Sequence, residues 1–446
     1  MARRRRLWPR ILAGALALVL IAVVAVYWWA RPLLRTGTGY AAHNACALDV
    51  IAKRGPLTSD LPPNPLVPYL SVGADAGGYR ASVFGVLAGQ SAWPVAGFGC
   101  TIAIAAPNFG PATPIDAGNN PIASQAAPAS DPELDAALAA AFGDDLDQAG
   151  RDRLGTRGIV VLSQGRVVAE RYGPGFDAQT PQLGWSMAKS VTNLIVGRMV
   201  AQSQIALSDA QLRPEWTDAR AAITVEDLLR MRSGLAWDET YDLGTPITQM
   251  LYDSPDMAGF VAAQQLGAPV GTRQQYSSGS TNLLCAVLNS RVKQGADLPR
   301  RQLLAQLGIS SAVFEADAIG TPVCSSYLWA SPRDWAAIGQ FALSDGVWNG
   351  ARMLPEGWMQ ASTTTQPIAS REDPNYAAGW WTNLTPEGNL VVPSLPRDAY
   401  WASGHDGQKL YVVPSAGLVV VRLGFSPAAD DIGTDKLVAD LIAALP

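Results

Sequence analysis

The sequence predicts an α+β fold, a mainly antiparallel sheet flanked by helices with a helical lobe inserted into it, preceded by one transmembrane helix. Three observations carry this expectation. Apolar, β-branched runs that read as strands cluster near residues 158–169 and again near 410–421, while helical spacing dominates the stretch between them. One sheet is therefore assembled from distant segments. An apolar run with no charge, residues 11–30, follows a group of arginines at the N-terminus.

Composition narrows the function classes. A chain of 446 residues is too long for one ordinary compact domain, so one large domain with additions is expected. The formal net charge of -5 provides no basic footprint, and the dense arginine cluster is confined to the extreme N-terminus, so no nucleic-acid partner is expected. His43 and His405 are the only histidines, and neither they nor the four cysteines have the spacing of a zinc site; no metal is expected. A phosphate loop and a dinucleotide-binding glycine fingerprint are both missing, and no cofactor is expected.

Residues 1–35 read as a cytoplasmic arginine-rich stub and a membrane anchor. Arg3 to Arg6 and Arg10 precede Ile11 to Ala30, about 20 residues, long enough at 1.5 Å per residue to cross roughly 30 Å of hydrocarbon. The cationic side stays in the cytoplasm, and Tyr27, Trp28 and Trp29 suit the outer interface, so the rest of the chain is expected outside the cytoplasm. A cleavable signal peptide is the rival, but the Trp28-Trp29-Ala30 exit has only one of the two small residues that cleavage wants. Residues 36–106, rich in Gly and Pro with short apolar runs, predict a small β-rich module of unassigned role. In an oxidising compartment Cys46 and Cys100 are candidates to pair within it, and Cys285 and Cys324 either pair or stay as buried thiols. Three connectivities are open.

Residues 107–130 carry Pro, Ala, Ser, Gly and Asn without apolar periodicity, the mark of a linker or a surface wrap. The main domain is expected over 131–446. Asp131-Pro132-Glu133 supplies an N-cap, a proline in the first helical position and an acid in the first turn, and Leu134, Ala137, Leu138 and Ala141 follow at helical spacing. Gly158 to Leu162 and Arg166 to Ala169 flank the short turn Ser163-Gln164-Gly165 as a hairpin. Leu410 to Val413 and Leu418 to Val421 form a second one, and 435–445 has helical periodicity.

Candidate chemistry begins at Gly184-Trp185-Ser186-Met187-Ala188-Lys189, which opens a helix whose buried face is Val191, Leu194, Ile195 and Met199. An S-x-x-K pair puts the lysine one turn beyond the hydroxyl on the same side, where a desolvated amine can act on the hydroxyl proton. Alone this spacing decides little, since Ser290-Arg291-Val292-Lys293 repeats it. Order decides. About ninety residues after Ser186 comes Gly271-Thr272 leading to Tyr276-Ser277-Ser278, and later Gly404-His405-Asp406-Gly407-Gln408 runs into a strand. Between them, Thr224-Val225-Glu226-Asp227 to Ser233-Gly234-Leu235 reads as a threonine-capped helix closed by a glycine C-cap. Tyr252-Asp253-Ser254 is a competing Y-x-S that lacks the preceding Gly-Thr turn.

The serial arrangement resembles the serine β-lactamase and penicillin-recognising superfamily, whose elements are S-x-x-K, Y-x-N or Y-x-S, and K-T-G or H-x-G. The resemblance covers roughly 131–446 and implies that superfamily's fold. It implies Ser186 as nucleophile, Lys189 and Tyr276 as acid/base partners with the choice of base open, and an oxyanion hole from the backbone N–H groups of Ser186 and Gln408. Ser278, His405 and Gly407 are the implied substrate-binding positions, with Gly407 admitting substrate because a Cβ would intrude. His405 and Asp406 replace the lysine and the hydroxyl residue that usually face a substrate carboxylate, so esterase and amide-hydrolase branches, including 6-aminohexanoate-dimer hydrolases, are favoured over penicillin hydrolysis. The expected partner is a small-molecule ester or amide. Trp185, Trp237, Tyr241 and Trp401 are candidate pocket residues. Two rivals stand: an α/β-hydrolase, because Gly184 to Ala188 is one residue from a G-x-S-x-G elbow, and a non-catalytic ligand sensor or envelope scaffold of the same fold.

Overall fold

The computed structural model describes residues 7–427, 429 and 431–445; Arg3 to Arg6 of the expected stub lie outside this set, and Arg10 within it. The chain begins with helix α1, Leu7–Val50. Its first two-thirds stand clear of the rest of the fold with large apolar side chains uncovered, among them Ile11, Leu16, Val23 and Trp29. Among the described residues this is the one helix long and apolar enough to cross a membrane. The same helix then runs on into the folded body, where Ala41, Ala42, Ala45 and Leu48 are fully buried.

The expected β-rich module therefore starts as helix. Small residues make this possible. A Cβ on Gly39 would stand 2.0 Å from the Tyr252 carbonyl oxygen, so only glycine lets α1 approach the helix Pro246–Asp253 so closely. After a Pro-rich connection the chain forms a four-stranded antiparallel meander, β1 (Leu70–Asp75), β2 (Gly78–Val83), β3 (Leu87–Val95) and β4 (Gly99–Ile102), laid against α1. A disulfide joins Cys46 of α1 to Cys100 of β4, and Cys285 is joined to Cys324. Residues 107–130 wrap the body rather than hang free: Thr113 bonds Asp297, Asn120 bonds Asp334, and Ile122 is buried in the core.

Helix α2, Pro132–Phe142, is capped by the Asp131 carboxylate, which accepts from the N–H groups of Glu133 and Leu134. The main sheet has six antiparallel strands. Their order is Trp381–Thr382, Tyr400–Gly404, Gln408–Val413, Leu418–Gly424, β5 (Thr156–Ser163) and β6 (Arg166–Tyr172), so the two ends of the domain pair side by side at its centre. The strands are unbroken apolar runs in sequence because both faces of the sheet are covered. Val160, Leu162, Val419 and Val421 face the helices Met187–Ala201 and Pro332–Leu343, while Ile159, Val161, Leu418 and Val420 face α2 and the helix Thr434–Ala444. This is period-two alternation with two apolar partners.

An all-antiparallel six-stranded sheet excludes the α/β-hydrolase rival, which requires parallel strands. The Thr224 helix is shorter than expected. It has a full capping box with Asp227 but ends at Leu229 with Arg230 as C-cap. Gly234, φ +76°, is instead a turn residue packed on the Ala268 carbonyl.

Candidate active site

The nucleophile candidate sits on a tight turn. Gln182–Leu183 pairs with Leu328–Ala330, the Gly184 N–H donates to the Leu328 carbonyl at 2.8 Å, and Trp185 then takes a left-handed φ of +48°. A bulky residue at such a φ is uncommon and stores strain where the chain must reverse sharply. Ser186 follows as N-cap of the helix Met187–Ala201, and its hydroxyl makes no capping bond. That leaves Oγ half-buried and open to other partners.

Lys189 supplies one. Its Nζ donates to Ser186 Oγ at 2.8 Å, to Ser278 Oγ at 2.9 Å and to the Ser325 carbonyl at 3.1 Å, which uses all three ammonium protons. The side chain is buried, and this burial lowers its pKa to about 8, against an opposing pull from Glu239. Tyr276 lays its ring 4.7 Å from the Lys189 Nζ. Burial and the neighbouring Glu239 raise the phenol well above its ordinary value, opposed by the nearby Ser186 hydroxyl. Its ring is held by Tyr376, edge-on at 5.1 Å, and by Trp381, stacked at 5.7 Å.

Ser278 opens the helix Ser278–Val292, which Ser277 caps. It is fully buried and faces Lys189, and its hydroxyl donates to Glu239 while its N–H donates to Glu239 Oε2 at 2.8 Å. Trp237 holds the same carboxylate through Nε1 at 2.5 Å. No sequence pattern marks Glu239. It lies in the loop just after Ser233-Gly234-Leu235, and an acid in a loop has no spacing that would mark it.

Elsewhere the expected residues divide. Tyr252 is buried and stacked on Tyr40 of α1 at 4.7 Å, and Ser290 bonds its own helix at Val287 while Lys293 turns out of that helix at φ +54°. Neither reaches Ser186. His405 is partly exposed and stacks on Tyr241 at 4.4 Å, edge-on to Trp185 at 5.8 Å, so it borders the nucleophile turn. Trp401 packs on Tyr411 on the opposite face of the sheet and lines no part of the site.

Of the two residues paired across the strand end, Gly404 is the one beside the nucleophile turn. A Cβ on Gly404 would come 2.1 Å from the Gly184 carbonyl oxygen, so Gly404 lies directly against the nucleophile turn, and 3.0 Å from the Cβ of its cross-strand partner Gln408. The Gln408 side chain is used up within the sheet, bonding the Gly424 carbonyl and N–H. Gly407, φ +87°, is demanded by Arg422, whose Nη1 would stand 2.5 Å from a Cβ there. Asp406 is buried, and this burial raises its pKa, which softens the negative charge expected beside His405.

With this geometry in place the comparisons are decisive for kinship. The sequence profile described as Beta-lactamase matches residues 143–441. The chain belongs to the Beta-lactamase family. Within this hydrolase family it is similar to a 6-aminohexanoate-dimer hydrolase of Paenarthrobacter ureafaciens, 24% identical over 304 residues that make up 62% of this chain and 74% of that one. Among solved structures it resembles a putative 6-aminohexanoate-dimer hydrolase from Bacillus anthracis, with TM-score 0.59 and 22% identity over 75% of this chain and 91% of that one. It also resembles a penicillin-binding protein homologue from Caulobacter crescentus, with TM-score 0.54 and 18% identity over 72% of this chain and 99% of that one. These structural likenesses establish the β-lactamase-like fold.

Proposed function

We propose that the protein is a serine hydrolase that cleaves ester or amide bonds through an acyl-enzyme on Ser186, held at a membrane by α1 with its catalytic body outside the cytoplasm. The observation that carries the chemistry is Lys189, a buried amine 2.8 Å from Ser186 Oγ whose pKa lies near 8. At neutral pH roughly one such lysine in ten is unprotonated, enough to serve as general base. Lys189 takes the Ser186 proton as Oγ attacks the carbonyl carbon. Tyr276, kept protonated by its raised pKa, donates to the departing alkoxide or amine and regains a proton from Lys189. Water then hydrolyses the ester on Ser186, with the same groups acting in reverse.

The Ser186 N–H is one oxyanion donor. For the second, the Gly404–His405 backbone is a better candidate than the expected Gln408, because Gly404 touches the Gly184 carbonyl and His405 borders Trp185. The apolar arm of the substrate fits a cleft of about 180 Å³ beside His405, lined by Tyr241 and Tyr252 on one wall and Leu61, Leu66 and Val67 of the N-terminal module on the other.

The test is intact-mass analysis of full-length protein after a fluorophosphonate probe, with a p-nitrophenyl ester series alongside. Single labelling that is lost in Ser186→Ala, with turnover that is lost in Lys189→Ala, is expected. An acyl group taken from the p-nitrophenyl ester that stays on Ser186 without turnover would convert the reading to a sensor, and no labelling of folded protein would leave a scaffold.

A further inference from the structure

We infer that the turn between β2 and β3, Phe84-Gly85-Val86-Leu87, inserts into the outer interface of the bilayer that α1 crosses. The inference rests on the reading of α1 as a membrane anchor and adds a second, independent contact with lipid.

The turn is built against its own conformational preference. Phe84 has φ +51° and Gly85 φ +79°, and the Val86 N–H donates to the Val83 carbonyl at 3.2 Å. A β-turn with positive φ at both central residues favours Asn, Asp or Gly in the first of them. A phenylalanine there is strained, and it faces solvent: Phe84 is 66% exposed, Val86 76% and neighbouring Tyr69 52%. Tyr69 packs on Phe84 with ring centroids 5.3 Å apart, so the exposed apolar groups form one patch. No charged residue occurs between Arg80 and Asp116 to keep the tip in water. Clustered exposed apolar side chains of this kind mark a contact surface.

Its position selects the partner. The Ala88 N–H donates to the Tyr27 hydroxyl at 3.2 Å, and Thr38 donates to the Ala88 carbonyl at 2.6 Å. Tyr27 lies at the outer end of the apolar run of α1, followed by Trp28 and Trp29, both largely exposed. The tip thus sits at the level where an aromatic belt meets the headgroups. β2 leads away from that level along α1, and at its far end Tyr79 bonds Asp49. The module is fixed to the helix at both ends, and of its turns the β2–β3 turn is the one that exposes large apolar side chains, Phe84 and Val86.

All four cysteines are paired, so an introduced thiol can be labelled selectively. Full-length Val86→Cys carrying an environment-sensitive fluorophore, reconstituted in phosphatidylcholine and phosphatidylglycerol vesicles, is expected to emit to the blue and to be quenched by lipids with a nitroxide at a shallow acyl position, ~5–10 Å deep. The same label at Ala76→Cys, in the distal β1–β2 turn, is expected to behave as in water. Phe84→Asn, which suits the turn better, should reduce quenching at position 86 without lowering the unfolding temperature. A label at position 86 as wet as that at 76, while Val19→Cys in α1 is deeply quenched, would overturn the inference and leave the anchor intact. An unquenched Val19→Cys would overturn both.

Discussion

At the scale of single residues, the site turns on how one buried ammonium is held. Burial lowers the Lys189 pKa to about 8 and Glu239 pulls it back up. A base that must be neutral works better as pH rises through that value, so kcat/KM is expected to climb from pH 7 to about 9. Glu239→Gln removes the upward pull, and the ascending limb should move to lower pH; an unmoved limb would mean that Glu239 acts only through Ser278. The grouping of Ser186, Lys189 and Tyr276 is legible because spacing and serial order carry information, whereas Ser278, expected to bind substrate, is buried against Lys189 and Glu239. Glu239 is not legible, since its place is made by the Ser278 N–H and the Trp237 indole rather than by any pattern near it in sequence. Gln408 illustrates another limit, because which of two cross-strand partners lies beside the nucleophile depends on how the sheet meets the Gly184 turn.

Among the elements, the Tyr400–Gly404 strand meets the nucleophile turn backbone to backbone at Gly404 and Gly184. Gly404→Ala would drive its Cβ to 2.1 Å from the Gly184 carbonyl oxygen, and a shift of the strand by about 1 Å is enough to cost roughly a hundredfold in rate. Steady-state kinetics against circular dichroism separates this from misfolding, and wild-type turnover in the variant would show that the turn can yield. A second constraint is the Cys285–Cys324 disulfide. It ties the helix Ser278–Val292 to the segment whose Ser325 carbonyl receives Lys189, and it closes a loop with sequence separation 39. Replacing both cysteines by serine is expected to cost ~3–4 kcal/mol in denaturant unfolding and to lower activity with it. The hairpins and the Asp131 cap were readable because each is local. The C-cap assigned to Gly234 was not correct, for a glycine needed against the Ala268 carbonyl looks the same in sequence as one that ends a helix.

The whole molecule departs furthest from what the sequence allowed, because its N-terminal module and catalytic body share a core. Glu315, fully buried, accepts from Trp329 Nε1 at 2.9 Å and from the Cys100 N–H at 2.7 Å, and pairs with His43 of α1 at 3.0 Å across 272 residues of chain. No periodicity reports a contact at that separation. Domain boundaries drawn at residues 106 and 130 therefore cut through packed surface. A chain starting at residue 131 is expected to bind a hydrophobic dye and aggregate on size exclusion, whereas one starting at residue 36 should elute as a compact species; a well-behaved 131–446 fragment would refute this coupling. The continuous α1 has a geometric consequence as well. Its 44 residues span about 66 Å, and Tyr40, on the wall of the cleft beside His405, stands ten residues or ~15 Å beyond Ala30. With α1 as tether the enzyme becomes a gauge of altitude: a bond carried at that height on a molecule rooted in the membrane comes within reach, while one lying among the lipid glycerols would first have to be lifted out.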